Sequence, residues 1–441
     1  MNKSIIALFL FVFLSAEAQK TVSGTFSPAE DYSWIIAYRL KPGTQVYVAD
    51  AAIKKGQFSM KFPENAVSGT YRMVYAVPQE EFYFDILYNG KEDISLSFNA
   101  QKGVSFADSE ENKIFSDYFK QINEVKKKII SFYSEGNNDV SFFNALVDKQ
   151  TAIQKIFSSR AKGLQVYDFI VANTPYTPSD FESIIDYVAN GKASYFDYLD
   201  FKNPALQASG FLTDKIANYV FTALPLFEMT PLETEMAMQR NVSEVNDKLN
   251  GVSDSYKLHI FYTLWAQAAV SGFNDLSDNI YSDYLRSLAI VTNNQEIINE
   301  IDVHNRLRIG AVAPDIIWKK DKKSKSLHKL SAADNYILVF WSSTCGHCLK
   351  ELPLLHENLK AYGNVKVIAV GLEDDNISWK TESAKLENFE HAISLGKWES
   401  DYAQLYAINQ TPSYFLLNKS KEIIAKPEDQ LAVIELLKSK E

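Results

Sequence analysis

The sequence predicts a multidomain chain: an N-terminal antiparallel β-sandwich, an all-helical middle region and a C-terminal α/β domain. Three observations carry that reading. Apolar residues alternate with polar ones up to about residue 106, then recur at helical spacing from 107 to 305. From Gly310 onward short unbroken apolar runs take turns with helical stretches, the layout of a compact α/β domain. At ~150 residues per domain, the 441 residues correspond to about three domains. The boundaries fall at residues 1–18, 19–106, 107–305 and 306–441. With 46% hydrophobic residues the chain has material for several cores, and its net charge of −10 argues against a phosphate-tracking nucleic-acid binder, which needs a basic face.

Residues 1–18 read as a secretory signal peptide. Asn2-Lys3-Ser4 supplies a short positive start, Ile5 to Leu14 an unbroken apolar run, and Ala16-Glu17-Ala18 a small-x-small cleavage site. Ten apolar residues are too few to cross ~30 Å of hydrocarbon, so the segment does not read as a membrane anchor. No Cys follows it, which argues against a lipoprotein. The expected mature chain begins at Gln19, soluble, in the periplasm or cell envelope.

Within 19–106, Phe58, Met60 and Phe62 alternate with polar neighbours, as do Tyr71, Met73 and Tyr75, and Ile94, Leu96 and Phe98. Lys55-Gly56, Ser68-Gly69 and Asn89-Gly90 separate these runs, the last reading as a hairpin turn. Asp85 and Asp93 read as solvated carboxylates. Ile114, Tyr118, Ile122, Val125 and Ile129 then line up as one helical stripe. Further helices are expected over 152–171, 179–189, 212–224 and 256–269, punctuated by prolines. Tyr195, Phe196, Tyr198 and Phe201 read as core or interface rather than as a ligand-stacking surface. In the last domain, strands are expected over 336–341 and 365–370, with a helix carrying Leu349, Leu352, Leu355 and Leu359 between them. Helical stretches at 383–394 and 402–406, a hairpin of 413–417 with 423–425, and a closing helix over 430–438 complete it.

The chain holds two cysteines, Cys345 and Cys348. A bridge across so small a loop stabilises little, because loop-closure gains grow with loop length. Reactivity explains the pair better than stapling. A C-x-x-C directly after a buried strand and opening a helix is a redox motif: the free N–H groups at the helix start stabilise a thiolate on Cys345. Cys345 is then the exposed nucleophile, and Cys348, one turn on, the resolving thiol. Zinc needs four ligands, and His347 and His356 lack any usual spacing to the cysteines, so no metal is expected. The only redox group required is the Cys345–Cys348 disulfide itself.

The segment Phe340-Trp341-Ser342-Ser343-Thr344-Cys345-Gly346-His347-Cys348 resembles the active-site segment of thioredoxin-fold proteins, specifically the TlpA/ResA-like exported thiol–disulfide oxidoreductases. Pro353 matches the proline that kinks the active-site helix in that fold, Thr411-Pro412 the cis-proline loop of the substrate groove, and Ala313-Pro314-Asp315 the entry motif. The resemblance covers about a third of the chain, residues 308–441. It implies disulfide exchange with protein thiols, most simply as a reductase supplied by a membrane electron donor. It makes Trp341 a packing residue bordering the groove.

Two departures from the family stand out. Thioredoxin keeps a buried acid where this chain has Val339, while the TlpA/ResA-like group often has a Glu where this chain has Glu351. At i, i+3 from Cys348, Glu351 can take the proton of that thiol. Gly346-His347 is instead similar to the dipeptide of protein disulfide isomerase, which leans toward a more oxidising couple. Ser342-Ser343-Thr344-Cys345 lacks the proline of the peroxiredoxin motif. The N-terminal regions resemble accessory regions that precede TlpA-like domains, and the alternative reading is an envelope binding or scaffold protein whose redox domain has no separate catalytic role.

Overall fold

Alternating apolar residues bury one face of each strand in the first hundred positions, and two sheets close over them. The computed structural model describes residues 20–320, 322–331 and 333–439; the expected signal peptide lies outside the described residues. The chain divides into two compact units, one up to Thr292 and one from Asn293 on.

Among its described residues the first unit starts with eight strands: β1 (Thr21–Ser27), β2 (Trp34–Lys41), β3 (Thr44–Ala52), β4 (Gln57–Lys61), β5 (Gly69–Val74), β6 (Tyr83–Tyr88), β7 (Ile94–Asn99) and β8 (Gly103–Phe106). They form two four-stranded sheets, ordered β4-β1-β7-β8 and β3-β2-β5-β6. Val22, Ile35, Met60, Tyr71, Met73, Ile94 and Leu96 meet in one core drawn from both sheets. The sandwich is not wholly antiparallel, since β1 and β7 run parallel. No tight turn joins those two strands, so nothing local imposes an antiparallel pairing. Asn89-Gly90 is likewise not a hairpin: it carries the chain from β6 in one sheet to β7 in the other. The Asn89 side chain accepts the Lys91 N–H at 2.9 Å, which makes it a local Asx turn. Asp85 is not simply solvated either, since Arg72 grips it with two bonds of 2.9 and 3.0 Å.

The helix Glu110–Ser134 buries the expected stripe of Ile114, Tyr118, Ile122, Val125 and Ile129. Asn112 on that helix exchanges bonds of 2.8 and 2.7 Å with the Leu87 backbone, tying helix to sandwich. The helix expected over 152–171 is instead two, Val140–Arg160 and Val166–Ala172, because the chain turns at Gly163 with φ +87°. Phe196 is buried between Tyr219 and the buried Phe201, whereas Tyr198 lies on the surface.

Among its described residues the second unit holds the helix Gln295–Leu307 and seven strands: β9 (Ile317–Lys320), β10 (Lys323–Ser326), β11 (Asn335–Trp341), β12 (Val365–Glu373), β13 (Glu390–Leu395), β14 (Ser413–Leu417) and β15 (Ile423–Ala425). Its main sheet is ordered β13-β12-β11-β14-β15, with β11, β12 and β13 parallel and β14 antiparallel to β11. β11 is buried on both faces. Tyr336, Leu338 and Phe340 enter one core, and Ile337, Val339 and Trp341 the other, with Cys348, Leu352 and Leu355. The helix expected over 383–394 is a correction: a short helix ends at Ser383, and Glu390–Leu395 pairs with β12 as a parallel strand. Its burial alternates residue by residue, so the period is that of a strand. Buried Glu390 is compensated by Lys325 at 2.8 Å and the Trp318 indole at 3.2 Å.

Candidate functional site

The site forms at the C-terminal ends of β11 and β12, where parallel strands release their loops. β11 stops at Trp341, and residues 342–347 lead into the helix Cys348–Asn358. The Cys345 N–H donates to the Ser342 carbonyl at 3.1 Å, and the Leu349 N–H to the Cys345 carbonyl at 3.1 Å, so Cys345 is folded into the approach to the first turn. Pro353 sits inside this helix.

The two thiols have opposite environments. Cys345 is half-buried and Cys348 fully buried. Burial pushes the Cys345 thiol up, but hydrogen bonds from the Cys348 thiol and N–H, from the Thr411 side chain and from the His347 N–H outweigh it, and the net direction is down. The Cys348 N–H lies 3.4 Å from the Cys345 sulfur. Burial pushes the Cys348 thiol up to about 12, and its hydrogen bond to Cys345 adds to the rise. The two sulfurs are thus pushed in opposite directions, Cys345 toward the thiolate and Cys348 toward the thiol.

The remaining expected residues surround this pair. Thr411-Pro412 is a cis peptide, and the Thr411 carbonyl accepts from the Cys345 thiol at 3.4 Å, so the loop before β14 forms a wall beside the sulfur. Trp341 is buried in the core under the site. Gly346 and His347 are exposed, and His347 acts on Cys345 through its backbone N–H. Glu351 is half-buried and accepts the Tyr414 hydroxyl at 3.0 Å, which distinguishes it from a freely solvated carboxylate. Among the described residues, no three His, Cys, Asp or Glu side chains converge as a metal site, and no helix is long and apolar enough to cross a membrane.

Sequence reasoning missed Glu373 and Tyr414. Glu373, the last residue of β12, is buried and accepts the Ser343 N–H at 2.5 Å, the Ser343 hydroxyl at 3.0 Å and the Ser342 hydroxyl at 3.3 Å. Three donors thus anchor the loop immediately before Cys345. In sequence Glu373 opens the acidic run Glu373-Asp374-Asp375, which hides it as a solvated turn. The available signal was its place at the C-terminal end of a buried parallel strand.

Residues 334–423 match the family model described as thioredoxin-like. No protein of curated function matches the chain. Among solved structures, a domain of a possible thiol–disulfide isomerase from Cytophaga hutchinsonii is 28% identical, with 30% of this chain and 93% of that one covered at a TM-score of 0.27. The thioredoxin domain of a thiol–disulfide oxidoreductase from Bacteroides vulgatus is 22% identical, covering 30% of this chain and 98% of that one at 0.28. A thioredoxin-like protein from Bacteroides caccae is 18% identical over 60% of this chain and 98% of its own, at 0.32. With the β11–helix–β12 frame and the matched segment in one place, residues 334–423 belong to a thioredoxin-like domain at the C-terminal end of a multidomain chain.

Proposed function

We propose that this protein is an exported thiol–disulfide oxidoreductase that exchanges disulfides with protein thiols through Cys345 and Cys348, working as a reductase. The observation that carries the reading is geometric: a half-buried Cys345 sulfur that the Cys348 N–H and the Thr411 carbonyl each approach at 3.4 Å, with a fully buried Cys348 opening the same helix. The Cys345 thiolate attacks one sulfur of a substrate disulfide. A Cys345–substrate bond forms, and the other substrate sulfur leaves as a thiolate that takes up a proton. Cys348 then loses its proton and attacks the Cys345 sulfur. The Cys345–Cys348 disulfide closes, the second substrate thiol is released, and the substrate has gained two electrons. A dithiol or membrane electron donor resets the pair, and no cofactor is needed beyond this disulfide.

The second step sets a requirement. Burial holds Cys348 in its thiol form, so closure gains from a base beside it. Glu351 fills that role in this reading, because the position of the thioredoxin acid is taken by Val339. Thr411-Pro412 walls the groove in which the substrate lies against Cys345. Residues 1–18 would direct the chain to the periplasm.

Turnover of a generic protein disulfide by the mature chain tests the reading. Wild type should reduce it, and Cys345→Ser should lose turnover to background. An inactive wild type would leave the C-terminal domain as a binding module. The potential of the couple tests direction: a value near ~−270 mV supports a reductase, and one of about −120 to −180 mV an oxidase or isomerase.

A further inference from the structure

We propose that Tyr414 is a positioning residue for disulfide closure: its hydroxyl holds the Glu351 carboxylate on the Cys348 side of the active-site helix. The inference rests on the exchange reading above and assigns a part that the cysteine motif does not contain.

Three geometric facts converge. Tyr414 lies two residues past Pro412 on β14, and its partner across the β11–β14 ladder is Val339, the position that lacks the acid. Its ring is buried in the same core as Val339, Trp341, Cys348 and Leu352. Its hydroxyl leaves that core to donate to Glu351 at 3.0 Å. Cys348 and Glu351 sit at i, i+3 on one helix face, and Tyr414, which faces both, ties the carboxylate to that face. Leu349 and Lys350, the intervening residues, are exposed, and an unpinned Glu351 would have open solvent to turn into.

The titratable groups that face Tyr414 are Glu351 and Cys348 on the active-site helix and Asp429 at the start of the last helix. Burial, then the Glu351 charge and hydrogen bond, then Cys348 and Asp429, all push the phenol upward. Tyr414 therefore stays protonated and serves as a donor, never as the base. The proton leaving the Cys348 sulfur goes to the Glu351 carboxylate, which becomes a carboxylic acid as the Cys345–Cys348 bond forms and the substrate thiolate departs. The phenol gains and loses nothing in that step.

Reaction of the reduced full chain with a chromogenic aromatic disulfide separates the two events. The first aromatic thiolate released reports attack by Cys345, and the second reports closure by Cys348. Tyr414→Phe should leave attack unchanged and slow closure at least about tenfold at neutral pH, less than the ~10²–10⁴-fold of losing a general base outright, because the phenol only positions it. Its closure rate should climb about tenfold per pH unit between pH 6 and 9, as for an unassisted thiol, while wild type climbs less steeply. Glu351→Gln should show the same slope, and the double variant should be no slower than Glu351→Gln alone. Wild-type closure in Tyr414→Phe, or losses that multiply in the double variant, would overturn the proposal. Slowing of both steps would make Tyr414 a packing residue and overturn it too. Absence of any first release from wild type would instead sink the exchange reading itself.

Discussion

At the scale of single residues, the chemistry rests on an asymmetry between two sulfurs three positions apart. Cys345 collects hydrogen bonds from the His347 and Cys348 amides, donors that a thiolate welcomes, whereas Cys348 lies in apolar packing that only a neutral thiol tolerates. The sign follows directly. A lowered pKa places the Cys345 thiolate at lower pH than in a free thiol, so attack should gain rate as pH rises and level off before the ordinary thiol value of ~8.5. Thiolate absorbance followed against pH in Cys348→Ser should inflect below that value. An inflection at or above it would contradict the role given to these amides. His347 acts through its backbone rather than through its exposed ring, a distinction that the dipeptide alone does not disclose.

Elements set where those residues meet. β12 delivers Glu373 to the loop that precedes Cys345, and three donors from Ser342 and Ser343 converge on its carboxylate. Glu373→Ala would leave a buried N–H and two hydroxyls without that acceptor, at about 1–3 kcal/mol for an unsatisfied buried group. Amide exchange at Ser343 should then accelerate by roughly tenfold or more, since ~1.4 kcal/mol is a factor of ten. Unchanged exchange would mean that Glu373 does not hold the loop. β14 has the matching task on the other side, bringing Thr411 to Cys345 and Tyr414 to Glu351. The strand at Glu390–Leu395 shows how an element can be misread. The 383–394 window mixes apolar and polar residues well enough to pass for a helix, yet the free edge of β12 selects the extended form by pairing it.

For the whole molecule, the proposed partners are proteins, and trapping them is the direct check. In Cys348→Ser the mixed disulfide on Cys345 cannot be closed from behind, so substrates should accumulate as reductant-sensitive conjugates. Capture of this variant from cells that express it should yield more protein than the Cys345→Ser/Cys348→Ser double variant. Equal yields would refute exchange with protein thiols. The sandwich of the first unit surrounds a core of its own, drawn from both of its sheets.

What the sequence by itself determined was a set of patterns among near neighbours along the chain. The C-x-x-C after a buried strand, Pro353 in the following helix, the Ile114-to-Ile129 stripe and the alternation of the sandwich strands are all patterns within a few residues, and local periodicity or spacing dictates them. The tertiary structure alone decided the long-range pairs: Glu373 with Ser343, 30 residues apart, and Tyr414 with Glu351, 63 apart. It also decided the parallel pairing of β1 with β7 and of β12 with β13. No local rule encodes such contacts, because a side chain's partner across a sheet is set by strand order and register. Those in turn are settled by burying every apolar face at once rather than by any one segment.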